Sequence, residues 1–416
     1  MSWADTRLKH LCVDSGQYGL NISADEYVDY GIRLIRTSDI TPDGNLSPTE
    51  DGVFIDVELE KRHCLKAGDL LMSRSGTLGR SFIVPSSAEG CTFAGFLVRF
   101  RPRDDVDPRF IYYSTRSERF QGIVKSEAVS STIQNFNAER YSNIPMCAPP
   151  LEEQRRIADF LDAETSRIDT LIRLQRQVLE KLDNRIGVQR DIEISRLAKL
   201  GKLVPLRRFV WSVDQGSSPQ CDAIPAGDGE WGVLKVSCLR PGVFIPAENK
   251  RLPDGIRPNR ASEVRRGDLL ITRANTPQLV GATAVVGEVR PMLLLPDKIF
   301  RVRLSEKVLP EFIAEVAAGT NIRALCAATS NGASQSMANI RFEEVKAWPI
   351  PLVPLPDQRT FVAAMQDARS NIASLADSIR RQLKLLAERR QALITAAVTG
   401  QFDVSTASGR NATQGV

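Results

Sequence analysis

One pattern occurs twice in this chain, and the repetition constrains the fold more than any other feature. Pro149-Pro150-Leu151-Glu152-Glu153-Gln154-Arg155-Arg156 opens a long charged segment, and Val353-Pro354-Leu355-Pro356-Asp357-Gln358-Arg359 opens a second. A large unit present only twice predicts two equivalent domain-plus-helix modules, not a solenoid of short repeats. The repeat extends beyond these segments. Leu8-Lys9-His10-Leu11 matches Leu206-Arg207-Arg208-Phe209 at an offset of 198, and Gly68-Asp69-Leu70-Leu71 matches Gly267-Asp268-Leu269-Leu270 at 199. Thr132-Ile133-Gln134-Asn135 matches Ser336-Met337-Ala338-Asn339, Pro145 matches Pro349 and Gln154 matches Gln358, all at 204. Between these blocks the halves diverge, as expected if each half reads something different.

The two long segments are predicted helices. From about Leu151 to Leu200 there is no proline, and the only glycine is Gly187. The seam of the first is read as Ile157, Leu161, Ile168, Leu171, Val178 and Leu182, with Glu164 and Gln175 at its polar positions. The second, from about Pro356 to Gly400, gives Phe361, Met365, Ala368, Ile372, Leu375, Ile379, Leu386 and Leu393. Heptad spacing of this kind marks helices that pack along a shared stripe. The seams correspond at offset 204, Ile157 with Phe361 through Leu182 with Leu386. A helix of ~45 residues spans roughly 65–70 Å and, being polar on most faces, needs a partner. The expectation is an antiparallel pair acting as a spacer. The alternative is that each helix packs only on its own domain.

The remaining segments, 1–150 and 201–352, read as mixed α/β domains. They hold short runs such as Ile32–Arg36, Phe96–Phe100, Val233–Val236 and Lys298–Arg303, broken by Gly, Pro, Asn and Asp. Alternation in the last run places arginines opposite the apolar residues. Short helices are predicted at Pro108–Thr115 and Pro310–Ala318, around a twisted, partly antiparallel sheet. The fold class is therefore mixed α/β (α+β). Its expected parts are domains at 1–150 and 201–352, helices at 151–200 and 353–404, and a disordered tail at 405–416, rich in Ser, Thr, Gly and Asn.

Composition narrows the function. The chain has 416 residues, with Lys+Arg 55 against Asp+Glu 50, a mildly basic balance that permits nucleic acid as a partner without requiring it. No apolar run approaches the ~20 residues of a membrane span. The N-terminus has no signal-peptide core, so a cytoplasmic location is expected. Seven scattered cysteines without a C-x-x-C pair fit thiols in a reducing compartment. Only two histidines, His10 and His63, are present, which argues against a His-based metal or acid–base site. There is no phosphate-binding loop of the G-x-x-x-x-G-K-[ST] kind. Glu344-Val345-Lys346 has the E-x-K tripeptide of many nucleases, a pattern loose enough to arise by chance. The glycine-containing stretch Ser73–Arg80 reads as a mobile basic loop, and Gly68-Asp69 and Gly267-Asp268 as structural turns.

Two variable domains, each closed by a Pro-Leu-x-x-Gln-Arg motif and a heptad helix, resemble the specificity subunit of Type I restriction–modification systems. Gly-Asp-Leu-Leu followed by Ser73-Arg74 or Thr272-Arg273 adds to the likeness, as does the Thr-Gly-Gln-Phe-Asp-Val ending at Thr399–Val404. Three departures stand out: Pro356-Asp357 in place of Glu152-Glu153, the extra glycine in Asn331-Gly332-Ala333, and the tail 405–416. The resemblance implies two target recognition domains joined by two spacer helices. It implies a non-catalytic chain without metal or cofactor that holds two methyltransferase (M) subunits and recruits restriction (R) subunits. S-adenosylmethionine, ATP and Mg2+ would belong to those partners. Double-stranded DNA would be read at two sites flanking an unread gap. Arginine suits guanine and Asn or Gln suits adenine in the major groove. The expected DNA-binding residues are Arg36, Thr37, Ser38, Arg74, Ser75, Thr77, Ser131, Gln134 and Asn135 in the first domain. In the second they are Lys235, Ser237, Arg273, Asn275, Thr276, Asn331, Ser334, Gln335 and Asn339. Each is equally readable as a turn former or a solvated polar residue. The alternative function is a structural adaptor that binds protein through its helices.

Overall fold

The structure is a computed structural model that describes residues 3–41, 44–129, 135–329, 331–334 and 337–404. Ser131, Gln134, Gln335 and the tail 405–416 lie outside the described residues. The chain divides into two compact units, Met1–Gln175 with Arg380–Val416, and Arg176–Ile379. Each contains one globular domain and part of both long helices.

In the first unit a four-stranded antiparallel sheet runs in the order Gln17–Tyr18, Leu97–Phe100, Leu70–Ser73, Ser81–Ile83. Leu70, Met72, Val98 and Phe100 pack with Phe120, Phe136 and Tyr141 from the helical side. Leu71, Phe82 and Leu97, on the opposite face, pack with Ile35 and Phe93. Ile35 and Phe93 belong to a three-stranded sheet ordered Val53–Ile55, Ile32–Ile35, Thr92–Phe93, whose last pair is parallel. Burial on both faces is why Leu70-Leu71-Met72 is a continuous apolar run and not an alternation. The expected helix Pro108–Thr115 is present; Asp107 caps it by accepting from the Arg109 amide at 2.8 Å.

The second unit repeats this plan. Its four-stranded sheet is ordered Val210–Gln215, Ile299–Leu304, Leu269–Thr272, Thr283–Val285, and its three-stranded sheet Asn249–Arg251, Gly232–Leu234, Leu293–Leu294. Leu269, Ile271, Phe300 and Val302 pack with Phe312, Ile313 and Trp348. The Gly-Asp turns are equivalent. Gly68 and Gly267 take φ of +86° and +90°, a region open to glycine and costly for other residues. Asp69 then accepts from the Lys66 amide and Asp268 from the Arg265 amide, both at 2.9 Å.

The long helices span Leu151–Leu200 and Leu355–Val398. They are antiparallel within each unit. In the first, Ile157 and Leu161 pack with Ile394, Ala397 and Val398, Asp169 meets Arg390 at 2.9 Å, and Gln175 donates to Gln382 at 2.8 Å. In the second, Leu197 shares a core with Phe361, Val362 and Met365. Fully burying an aliphatic side chain contributes about 1.5–3 kcal/mol, so a few such residues hold each end.

The seam departs from the sequence reading in detail. Ile157, Leu161, Ile168, Leu182, Phe361 and Met365 are buried, and Ile372 and Leu386 are half-buried. Leu171 and Leu375 are 48% and 47% exposed, and Val178 is exposed as well. Ile172, Gln175 and Leu179 take the inward positions of the first helix, and Ala376 replaces Leu375 in the second. The reason is steric register. Steps of four and three from Ile168 reach 172, 175, 179 and 182, and where two apolar residues are adjacent the geometry chooses between them. Glu164 is half-buried and pairs with Arg167, and the adjacent Thr165 is buried, donating to the Leu161 carbonyl at 2.6 Å.

Candidate nucleic-acid interface

Each domain carries a cleft at the same place in its fold. In the first, a cleft of about 500 Å³ lies between the segment Leu20–Ser23, the single turn Thr37–Asp39 that follows Ile32–Ile35, and the loop Ala94–Phe96. In the second, a cleft of about 480 Å³ lies between Ser218–Cys221, the turn Val236–Cys238 and the loop Pro296–Lys298. The backbones are equivalent. The Arg74 amide donates to the Phe96 carbonyl at 3.0 Å, and the Arg273 amide to the Lys298 carbonyl at 2.8 Å. Gly19 and Gly216 run against the loops so closely that a Cβ would sit 2.3 Å from the Phe93 carbonyl oxygen and 1.6 Å from that of Leu295. Only glycine fits at such an approach.

The linings differ. In the first cleft Arg36 binds Asp39 at 2.8 Å, which raises the guanidinium further above its ordinary range, and lies 6.0 Å from the Tyr27 ring. Ser38 is exposed, and the Thr37 hydroxyl is buried without a hydrogen-bond partner. Beside the cleft, Arg74 lies 4.7 Å over the Tyr18 ring and donates to the Asn135 side chain at 3.2 Å and the Gly95 carbonyl at 3.4 Å. Ser75 and Asn135 form a backbone bridge. Six of the expected residues, Arg36, Thr37, Ser38, Arg74, Ser75 and Asn135, therefore gather around the loop Ala94–Phe96. Thr77 does not; it lines a separate cleft of about 290 Å³ with Arg80, Arg116 and Gln121.

In the second cleft Lys235 and Ser237 share Glu248, at 2.7 and 2.6 Å, and these contacts hold that carboxyl below its ordinary range. Lys250 and Lys298 also line it. Arg273 is exposed and makes no side-chain hydrogen bond or ion pair among the described residues. Thr276 and Asn339 are exposed. Asn331 and Ser334 stand on the strand Asn331–Ser334, which pairs with Met337–Asn339; that strand in turn pairs with Ala274–Asn275.

The match between this chain and known proteins agrees with the duplicated plan. A family described as the Type I restriction modification DNA specificity domain matches residues 7–182. The Type I restriction enzyme EcoKI specificity subunit of Escherichia coli (strain K12) is 23% identical over 408 residues, covering 93% of this chain and 85% of its own length. The EcoEI specificity subunit of Escherichia coli is 30% identical over 161 residues, 38% of this chain and 27% of that relative. The HsdS subunit from Thermoanaerobacter tengcongensis superposes with a TM-score of 0.56 at 17% identity, over 96% of this chain and 97% of that one. Over nearly its whole length this chain is similar to specificity subunits of Type I restriction–modification systems. A chain from a structural study of complex assembly in the type I R-M system gives a TM-score of 0.69 at 18% identity, covering 96% and 98%. At these identities the structural likeness concerns the fold alone.

Several expectations need correction. Asn275 is buried on the strand Ala274–Asn275; its side-chain oxygen accepts from the Thr276 amide at 2.8 Å and its side-chain nitrogen is buried without a hydrogen-bond partner. Of the strand-run arginines, Arg303 is exposed, but Arg99 and Arg301 are buried against Asp14 and Asp214, at 2.6 and 3.1 Å, because both faces of the sheet are covered there. The stretch Ser73–Arg80 is not loose: the Gly79 amide donates to the Tyr141 hydroxyl at 2.8 Å and Arg80 donates to the Ile40 carbonyl at 3.0 Å. Glu344 of the E-x-K tripeptide accepts from the Arg341 amide at 2.8 Å and caps a short helix, and Lys346 pairs with Glu343. Asn21, Phe96, Lys250 and Lys298 also line the clefts and are not among the expected residues. For Phe96 and Lys298 the repeat held a signal, since each precedes an apolar strand run.

Proposed function

We propose that this chain is a specificity subunit that reads a bipartite DNA target, one half-site in each cleft, and leaves the intervening base pairs unread. The single observation that carries this reading is the equivalence of the two clefts in backbone and their difference in lining. A shared frame fixes two readers alike, and different side chains give them different targets. Phosphate contacts from Lys and Arg supply affinity, while side chains at base edges supply sequence. Segments 1–150 and 201–352 are the target recognition domains of this reading, and the residues around the loops Ala94–Phe96 and Pro296–Lys298 are its readers. The adaptor alternative is not favoured, because the matched family is a DNA specificity domain.

The helices bind two methyltransferase subunits, and restriction subunits join that assembly. Methyl transfer and cleavage belong to those partners, with S-adenosylmethionine, ATP and Mg2+, and this chain catalyses neither. Among the described residues no cluster of His, Cys, Asp and Glu is suited to a metal ion, and no helix is long and apolar enough to cross a membrane. The assembly works in the cytoplasm, where its DNA is.

The test is to co-express the chain with its methyltransferase partner and map methylated adenines genome-wide. One bipartite motif with a fixed gap is expected. Replacing residues 1–150 with another such domain should change one half of the motif only. Methylation without a bipartite motif, or a change in both halves, would overturn the reading.

A further inference from the structure

The two clefts are closed by equivalent loops with opposite tips. Phe96 stands at the end of Ala94–Phe96 and is 65% exposed. Its loop is held on every side: the Leu97 amide donates to the Ala94 carbonyl at 2.9 Å, the Arg74 amide to the Phe96 carbonyl, and the Arg74 guanidinium to the Gly95 carbonyl. The ring is thus apolar surface presented by an anchored backbone, beside Asn21, Ser23 and Arg36. At the same backbone position the second domain has Lys298, whose side chain makes no hydrogen bond or ion pair among the described residues. Lys250, in the same cleft, is also without one, whereas Lys235 is already engaged by Glu248. A single exposed apolar residue needs no explanation by itself. Here the same anchored position carries an unpaired cation in the other half, so the fold demands neither.

On the reading proposed above, we infer that these tips are specificity-determining residues of opposite kind. The Phe96 ring contacts the C5 methyl of a thymine in the first half-site, and the Lys298 ammonium donates to the O6 or N7 acceptor of a guanine in the second. The major groove offers both features, the thymine methyl as its one apolar mark and guanine as its double acceptor. The polar side chains beside the ring, Asn21, Ser23 and Arg36, favour contact at base edges over insertion between base pairs, which uses an apolar wedge in the minor groove.

The experiment uses the complex of this chain with its methyltransferase and duplexes carrying the mapped motif. Each thymine of the first half-site is replaced in turn by deoxyuridine, which lacks only the methyl. Each guanine of the second is replaced by 7-deazaguanine, which lacks N7, or by inosine in a control that keeps N7 and O6. One thymine position should cost the unaltered complex about fourfold in affinity, the worth of one buried methyl group. Phe96→Ala should bind thymine and deoxyuridine equally there. Phe96→Lys, which is soluble and sterically harmless at an exposed tip, is the second variant and should also lose the distinction. Lys298→Met should tolerate another base at one guanine position, removing discrimination of about tenfold. Unchanged thymine preference at every position in both Phe96 variants would overturn the first half of the inference. If Lys298→Met weakens all sequences alike and lowers the salt slope by about one, Lys298 is a phosphate contact and the second half falls. These results leave the bipartite reading intact. Failure of that reading is seen separately, as absence of a bipartite motif in the unaltered complex.

Discussion

At the residue scale, Gln154 and Gln358 explain the motif that first revealed the repeat. The Gln154 side chain is 3% exposed; its oxygen accepts from the Asp107 amide at 2.9 Å and its nitrogen donates to the Pro149 carbonyl at 2.8 Å. Gln358, 1% exposed, accepts from the Leu309 amide at 2.9 Å and donates to the Val353 carbonyl at 2.9 Å. Each glutamine thus joins the start of a long helix to the start of a short one, and the prolines before it fix the approach. Gln154→Ala strands a donor and an acceptor in a buried site, at about 1–3 kcal/mol each. A clear drop in the urea midpoint is expected, and Gln358→Ala should behave alike in the other unit. Gln154→Glu keeps the acceptor and loses the donor, so its loss should be intermediate if the charge is tolerated; an unchanged midpoint in the alanine variants would show that these bonds do not lock the helices. The cysteines give a second residue-scale expectation. Burial, then Asp14 and Asp69, pushes the Cys12 thiol up from 9.0 to about 12; burial, then Glu248, does the same for Cys238; burial brings Cys326 to about 11. A raised thiol is stabilised in its neutral form. That contribution is complete below about pH 9 and is lost as pH rises through the folded values. Iodoacetamide at pH 8 should therefore spare these three in the folded chain and modify all seven in urea, as read by mass spectrometry.

At the element scale, the two long helices and their existence were legible because a proline-free, heptad-patterned run has few other folds. Their exact seam was not. Leu171 beside Ile172, and Leu375 beside Ala376, offer two apolar choices each, and only packing selects one. The burial of Arg99 and Arg301 was not legible for a related reason: alternation shows which residues differ, not whether the second face is open. A buried charge cluster was also invisible in the sequence. In the second unit Glu315, 5% exposed, receives Arg190 at 3.1 Å from one helix and Arg369 at 2.7 Å from the other. Its partners are 54 and 125 residues away, beyond any local pattern. Glu315→Ala leaves Arg190 buried without its counter-charge, and loss of one partner of a buried pair costs about 3–5 kcal/mol. Hydrogen exchange should accelerate in 186–197 and 362–372, with 151–165 little affected. Equal protection in the variant and the parent would mean that Glu315 does not tie the helices to the domain. By contrast Leu171→Gln and Leu375→Gln, at exposed positions, should change the unfolding midpoint little, whereas Leu182→Gln should lower it.

At the scale of the whole molecule, the duplication was legible and the clefts only partly so. The blocks at offsets 198 to 204 mark the shared frame because the frame is built from buried turns and strand starts, which tolerate little change. The cleft linings lie where the halves diverge, so the comparison of one half with the other is silent there until the backbones are superposed. The last prediction concerns spacing. If helix length sets the separation of the readers, inserting four residues near Gln189 extends the first helix by about 6 Å and turns its distal part by about 400°, nearly preserving the buried face. The seam of the partner must be extended too, so a matched insertion of four residues near Leu375 accompanies it. B-DNA rises 3.4 Å per base pair along each strand, so the unread gap should grow by one or two base pairs with both half-sites unchanged. If each helix serves only to close its own domain, the double insertion leaves the gap as it was. Methylation mapping separates the two, and an active variant with an unaltered gap excludes the spacer role. The first insertion alone shifts the pairing of one helix against the other by more than a turn, placing Arg190 away from Glu315, so it should lose activity that the matched pair restores.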